Sequence, residues 1–129
     1  RLGFIPWLDD ENEETTLKFL ESAKCDWLAG HFEINGYEMM KGIKFDGGLD
    51  RNVFQRFEQV LSGHFHTKSE QGNIKYLGSQ MEFFWNDAHD DKFFHVLDTE
   101  TRNLEAIRNP HTIFDRIRYD DSKNCCILM

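Results

Sequence analysis

The sequence predicts an α/β domain with mixed sheets that ends in an antiparallel meander. Three observations carry that prediction. Two short apolar runs, Trp27-Leu28-Ala29-Gly30 and Val60-Leu61-Ser62-Gly63, each deliver a histidine where the run stops, His31 and His64. An amphipathic stretch ahead of the first run has helical periodicity. From Phe83 onward, strand-like runs alternate with Asn, Asp and Pro turns.

In chain order, residues 2 to 8 read as a buried strand ended by Pro6 and Trp7. Asp10-Glu11-Asn12-Glu13 resembles a capping box with Asp10 as N-cap, which places negative charge on a helix N-terminus. The acidic run is thus read as helix-start chemistry. A helix to about Lys24 follows, with Leu17, Leu20 and Ala23, and Phe19 beside them, as its packing stripe. Cys25 to Gly30 is the second strand. Phe32 to Gly48, punctuated by glycine, reads as a long loop with short extended pieces. Leu49 to Glu58 is helix-compatible and opened by Asp50, and Gln59 to Ser62 is the short strand that feeds His64. Lys68 to Asn73 is a polar turn, followed by Ile74 to Ser79. Phe83 to Trp85, Lys92 to Leu97, Leu104 to Ile107 and Thr112 to Tyr119 are the strands of the meander. Residues 1–120 form one domain and 121–129 a tail.

Composition narrows the function classes. Hydrophobic residues at 40% and aromatics at 14%, twelve of them Phe, are enough for a packed core, while 29% charged residues favour solubility. No apolar stretch approaches about 18 residues and no signal-peptide pattern is present, so no membrane span or secretory signal is expected. A formal charge of -8 argues against a free-standing basic clamp on nucleic acid, though not against DNA as a substrate where cations neutralise phosphate. Cys25, Cys125 and Cys126 form neither a disulfide framework nor a CxxC zinc pattern, and a reducing cytoplasm is the expected compartment. Cys126-Ile127-Leu128-Met129 fits the prenylation pattern, but Asp120-Asp121 before it is acidic rather than polybasic. Arg1 stands where an initiator methionine would, so the chain is expected to be a fragment of a longer protein.

The chemistry concentrates on Ser62-Gly63-His64-Phe65-His66-Thr67. On an extended segment, His64 and His66 point the same way with Cα atoms roughly 6 to 7 Å apart, so they can hold one metal or bridge two. Gly63 is expected to let the backbone turn tightly there. His31 joins the pair because it also follows a Gly at a strand end, where ligands collect in open α/β sheets. His89, His95 and His111 read as turn and strand residues. No P-loop, Gly-x-Ser-x-Gly elbow, GxGxxG or HExxH occurs.

Gly30-His31, Gly63-His64-Phe65-His66 and Tyr76-Leu77-Gly78-Ser79 together resemble the C-terminal half of calcineurin-like metallophosphoesterases. Ala29 to Gly36, Ser62 to Thr67 and Leu97-Asp98-Thr99-Glu100-Thr101 are similar to the nuclease branch, which includes the SbcD type and the recombination endonuclease subunits of T-even-type phages. The likeness covers residues 1 to about 120. It implies a four-layer α/β/β/α sandwich with two divalent ions, usually manganese, His31 and His64 on one ion and His66 on the other. It further implies in-line hydrolysis of a DNA phosphodiester in recombination or repair, an SMC-like ATPase partner and a homodimer. The family's Asp-x-His, Gly-Asp and Gly-Asn-His-Asp motifs are not matched. Asp87-Ala88-His89 has the wrong order and spacing to replace them. The chain alone is therefore expected to be catalytically silent or nearly so, to bind metal weakly, and to self-associate through an uncovered apolar face.

Two other readings compete. His64-x-His66-x-x-x-Glu70 matches the first ligand set of a cupin, although the second motif is missing and the helices do not suit an all-β barrel. The chain could instead be a non-catalytic interaction module or inactive homologue, with the loop around Tyr37, Met39 and Met40 as its contact surface.

Overall fold

The computed structural model describes residues 1–115, 117–120, 122–123 and 125–128, with residues 120 and 125–128 described by backbone alone. In chain order the elements are β1 (Leu2–Phe4), α1 (Glu13–Ser22), β2 (Trp27–Gly30), β3 (Glu38–Met40), β4 (Ile43–Lys44), β5 (Gln59–Ser62), β6 (Ser69–Gln71), β7 (Ile74–Tyr76), β8 (Lys92–Leu97), β9 (Leu104–Asn109), β10 (Ile117–Asp120) and β11 (Cys125–Leu128). Single 3-10 turns at Arg51–Phe54 and Trp85–Asp87 punctuate the connections. The prenylation-like pattern depends on Met129 and on side chains that lie outside the described residues.

The centre is a five-stranded mixed sheet of order β1-β2-β5-β7-β6, so the α/β reading holds. β1, β2, β5 and β7 run parallel, and β6 closes one edge antiparallel to β7. Parallel neighbours need crossovers. α1 supplies the first, between β1 and β2. The registers Phe4↔Ala29, Gly30↔Ser62 and Ser62↔Tyr76 bring the carboxyl ends of all four parallel strands to one edge. Leu28 and Val60 from the middle strands are fully buried with Leu20, Phe32, Ile34, Phe54, Ile74 and Tyr76. That core fixes the edge on which the histidines stand.

Several local expectations change. The first strand stops at Phe4 and lies at the sheet's edge, with Phe4 74% exposed; burial begins only at Ile5. α1 starts at Glu13 with Asn12 as N-cap, and the Asp9 carboxylate, not Asp10, accepts from the N–H groups of Glu11 and Asn12. Its buried stripe is Thr16, Leu20 and Ala23, and Phe19 faces solvent. The helix has no basic residue in its last turn; Arg56 serves instead, donating to the carbonyls of Leu20 and Ala23 at 2.8 and 2.6 Å. The expected helix after Leu49 shrinks to the 3-10 turn at Arg51–Phe54, still capped by Asp50.

The polar turn at Lys68 to Asn73 contains β6, because the chain doubles back at Gly72 to pair Ser69 with Tyr76. Phe83-Phe84-Trp85 is not a strand but leads into a 3-10 turn. The meander separates into two hairpins, β8 with β9 and β10 with β11, and no pairing joins them among the described residues. Of the three residues expected to form a contact surface, Tyr37 is buried, Met39 packs partly on the core and Met40 is half-buried. Four parallel strands exclude the all-β barrel of a cupin, and Glu70 sits in β6 with Lys75 as its ion-pair partner.

Candidate metal centre

Because Gly30 and Ser62 are register partners, the residues that follow them emerge side by side from adjacent strands. Gly63 N–H donates to the Gly30 carbonyl at 3.0 Å and ties the two exits together. His31 and His64 leave from these exits, their ring centroids 5.2 Å apart in an edge-on arrangement. Trp7, just beyond the end of β1, lies 5.0 Å from His31 and 5.2 Å from His64.

The role of Gly63 differs from the expectation. Its φ is not positive; the left-handed residue is His64, at φ 80°. A side chain at 63 would meet the His31 ring, since an added Cβ falls 2.6 Å from Nδ1. Glycine is there to give His31 a seat against the backbone. Packing on that side lowers the His31 pKa through desolvation first, then through the fields of His64 and His66. A neutral imidazole is the form that binds a metal ion.

His64 holds a conformation that non-glycine residues rarely adopt and that clusters at functional sites. Its Nε2 lies 3.0 Å from Glu33 Oε1. Glu33 is itself held from both sides: the buried Tyr76 hydroxyl donates to the Phe32 carbonyl at 2.8 Å and accepts from Ile34 N–H at 3.0 Å. The Ser62 hydroxyl, also buried, accepts from Phe32 N–H at 3.1 Å. The ends of β5 and β7 thereby place the loop after β2.

His66 is set by the core residue between the histidines. β5 ends at Ser62, so His64 and His66 lie on a loop rather than on an extended strand. Phe65 turns inward to stack on Tyr76, centroids 4.7 Å apart, and leaves an imidazole outside on each side of it. His66 Nδ1 lies 3.0 Å from Asp87 Oδ2. Asp87 is buried, and its Oδ2 also accepts from Phe83 and Phe84 N–H at 2.9 and 3.0 Å. The Lys92 ammonium, 2% exposed, sits 3.3 Å from Asp87 Oδ1, 3.1 Å from Asp90 and 3.0 Å from the His66 carbonyl. Burial pushes the Asp87 carboxyl up, but these N–H groups, His66 and Lys92 together hold it below the ordinary carboxylate range.

The structure thus brings His31, His64 and His66 to one edge of the sheet. Among the described residues, however, no group of three or more His, Cys, Asp or Glu is arranged to hold a metal ion. The donors fit part of a metal site: His66 keeps Nε2 open, whereas Glu33 occupies Nε2 of His64. A cleft of about 270 Å3 beside His31 is walled by Trp7, Asp9, Asp10, Glu13 and Glu33. On the other flank, Phe83, Phe84 and Trp85 are 55, 64 and 55% exposed. His89 has φ 63°, His95 sits in β8, and His111 is exposed; none joins the cluster.

Sequence reasoning missed Glu33, and it weighed Asp87 only as a replacement for the absent motifs, not as a partner of His66. Glu33 lies within the Gly-His stretch that carries the family likeness, two residues past His31, so attention to that stretch could have found it. Asp87 stands 21 residues from His66, and no local pattern links them.

No family model matches the chain. It is 36% identical to exonuclease subunit 1 of Enterobacteria phage T4 over 118 residues, 92% of this chain and 34% of that protein. It is 29% identical to the SbcD subunit of nuclease SbcCD of Staphylococcus epidermidis over 92 residues, 66% of this chain and 25% of that protein. The chain therefore spans about a third or less of the curated relatives it matches. What it is similar to, across most of its own length, is a stretch of nuclease subunits from a phage and a bacterium.

Proposed function

We propose that this chain carries the C-terminal metal-ligand motifs of a metal-dependent DNA nuclease of the calcineurin-like metallophosphoesterase class, acting in recombination or repair. The observation that carries the reading is the delivery of His31 and His64 from register-paired ends of parallel strands, with His66 two residues on. The nuclease names of the relatives support the substrate class.

On this reading His31 and His64 hold one divalent ion and His66 a second, manganese being the expected metal. The remaining ligands belong to the part of the longer relatives that this chain does not match. Such ions, when bound, polarise a phosphodiester and acidify water. The chain's own residues prepare the donors: desolvation favours the neutral form of His31, Glu33 orients His64, and Asp87 holds the Nδ1 edge of His66. A four-layer sandwich, DNA as substrate, an SMC-like ATPase partner and a cytoplasmic setting are parts of the same proposal. Among the described residues, no helix is long and apolar enough to cross a membrane. Exposed Phe4, Trp7, Phe83 and Phe84 support the further proposal of dimerisation or self-association. A clean monomer at high concentration by light scattering would count against it.

The incomplete donor set leads us to expect the purified chain to be catalytically silent or nearly so, and to bind manganese weakly through these histidines. Robust manganese-dependent cleavage of DNA by the 129-residue chain, abolished by His64→Ala, would overturn the silent part of the proposal. Manganese binding unchanged by His64→Ala would overturn the ligand assignment. The same incomplete set favours one second reading, a non-catalytic homologue. Sequencing upstream of Arg1 separates the two: in-frame Asp-x-His and Gly-Asn-His-Asp motifs support the enzyme, and an upstream stop codon supports the homologue.

A further inference from the structure

We infer that Asp87 is a positioning residue for His66, fixing its ring as the Nδ1–H tautomer so that Nε2 faces outward as the free donor. The inference rests on the metal-binding reading of His66 above and adds a residue that the sequence motifs do not include.

Four features support it. Asp87 Oδ2 lies 3.0 Å from His66 Nδ1, and an ionised carboxylate only accepts, so Nδ1 carries the proton. The carboxylate cannot turn away, because its other contacts are the N–H groups of Phe83 and Phe84 and the buried Lys92 ammonium. Lys92 also binds the His66 carbonyl at 3.0 Å, so one cation locates both the backbone and the orienting group of His66. The Phe84 ring lies parallel to the imidazole at 5.4 Å, with Phe83 at 5.6 Å, which restricts rotation from the face. A carboxylate on one ring nitrogen commonly sets which nitrogen of a histidine meets a metal. Here that carboxylate comes from a 3-10 turn, outside the sheet that delivers the histidines.

The test uses the full chain without metal and then with manganese alone. Nitrogen-15 shifts of the His66 imidazole in the unchanged chain are expected to show the Nδ1–H tautomer. Asp87→Asn is expected to mix the tautomers and to weaken manganese binding, read from the free-ion EPR signal, by roughly 10- to 100-fold. Asp87→Glu should restore part of both. Lys92→Met, which removes the cation on Asp87 and the His66 carbonyl but leaves Asp87 its two N–H donors, should lower the melting temperature and mix the tautomers less than Asp87→Asn does. An Nε2–H tautomer in the unchanged chain overturns the proposal even if no variant folds. So does an Asp87→Asn chain that melts earlier yet keeps tautomer and affinity. If the unchanged chain shows the Nδ1–H tautomer but no manganese binding at all, the positioning role stands and the metal reading fails.

Discussion

Glu33 Oε1 lies 3.0 Å from Nε2 of His64, which joins the loop after β2 to the left-handed residue after β5. Both side chains are partly open to solvent, at 45 and 23% exposure, so the pair contributes at most about 1 kcal/mol to folding. Its value lies in orientation, since a carboxylate on Nε2–H leaves Nδ1 as the donor. Glu33→Gln should shift stability by less than about 1 kcal/mol and weaken manganese binding roughly tenfold. Thermal melting beside a metal titration checks both. A large melting shift with unchanged affinity would make the pair structural.

Tyr76 reaches the same pair from beneath. Its buried hydroxyl serves the Phe32 carbonyl and the Ile34 N–H, the two backbone groups that flank Glu33. Tyr76→Phe keeps the ring stack with Phe65 and leaves both groups without that partner. The expected cost is about 1 to 3 kcal/mol, because an unsatisfied buried group bears its full desolvation penalty. Urea unfolding measures the loss, and hydrogen exchange at Ile34 should rise in parallel. Unchanged protection at Ile34 would show that the clamp is not what holds this loop.

How far the site could be read beforehand follows from the range of each cause. The strands Gln59–Ser62 and Lys92–Leu97 stand where their composition put them, because alternation and flanking polar residues are local signals. The histidines after Gly30 and Gly63 were legible for the same reason. β6 was hidden because three polar residues show no buried face; only its pairing with β7 makes Ser69–Gln71 a strand. Phe83-Phe84-Trp85 has the composition of a strand, yet Asp87 captures the N–H groups of Phe83 and Phe84 that a sheet would need. The positive φ at His64 and the seat that Gly63 provides for His31 depend on the approach of two chain exits. A single sequence carries no trace of that approach.

Glu82 gives the stability of this region a pH dependence. It is buried, and its carboxylate accepts from the N–H groups of His89, Ile113 and Phe114 at 2.8, 2.6 and 2.9 Å. Burial pushes its pKa up, but the N–H groups of Phe114, Ile113 and His89 prevail and hold it below the ordinary value of 4.5. A carboxyl depressed by folding stabilises the fold fully above its ordinary pKa, and that stabilisation is lost as pH falls through the folded value. Melting temperature should therefore be steady above about pH 5 and fall below it, with Glu82→Gln flattening the decline while lowering the plateau. A decline of identical slope in the variant would assign it to other carboxylates.

Gly30 and Gly63 stand at or beside the same pair of strand ends, yet alanine should act differently at each. A Cβ on Gly30 would run into the Phe32 ring, which is fully buried against Phe54 and cannot withdraw without opening the core. A Cβ on Gly63 falls 2.6 Å from His31 Nδ1, and the outer side of His31 is open to solvent. That ring can swing away. Gly30→Ala is therefore expected to cost about 3 kcal/mol, at the upper end for overpacking, and Gly63→Ala about 1 kcal/mol or less. The order reverses for metal binding. Gly63→Ala displaces a donor and should weaken manganese affinity roughly tenfold in a chain that still melts cooperatively, an effect like that of disturbing a ligand's support. Equal melting shifts for the two variants would mean that His31 is as tightly enclosed as Phe32, against its exposure. Full affinity in Gly63→Ala would remove His31 from the ligand set, since the displaced ring would then not be needed.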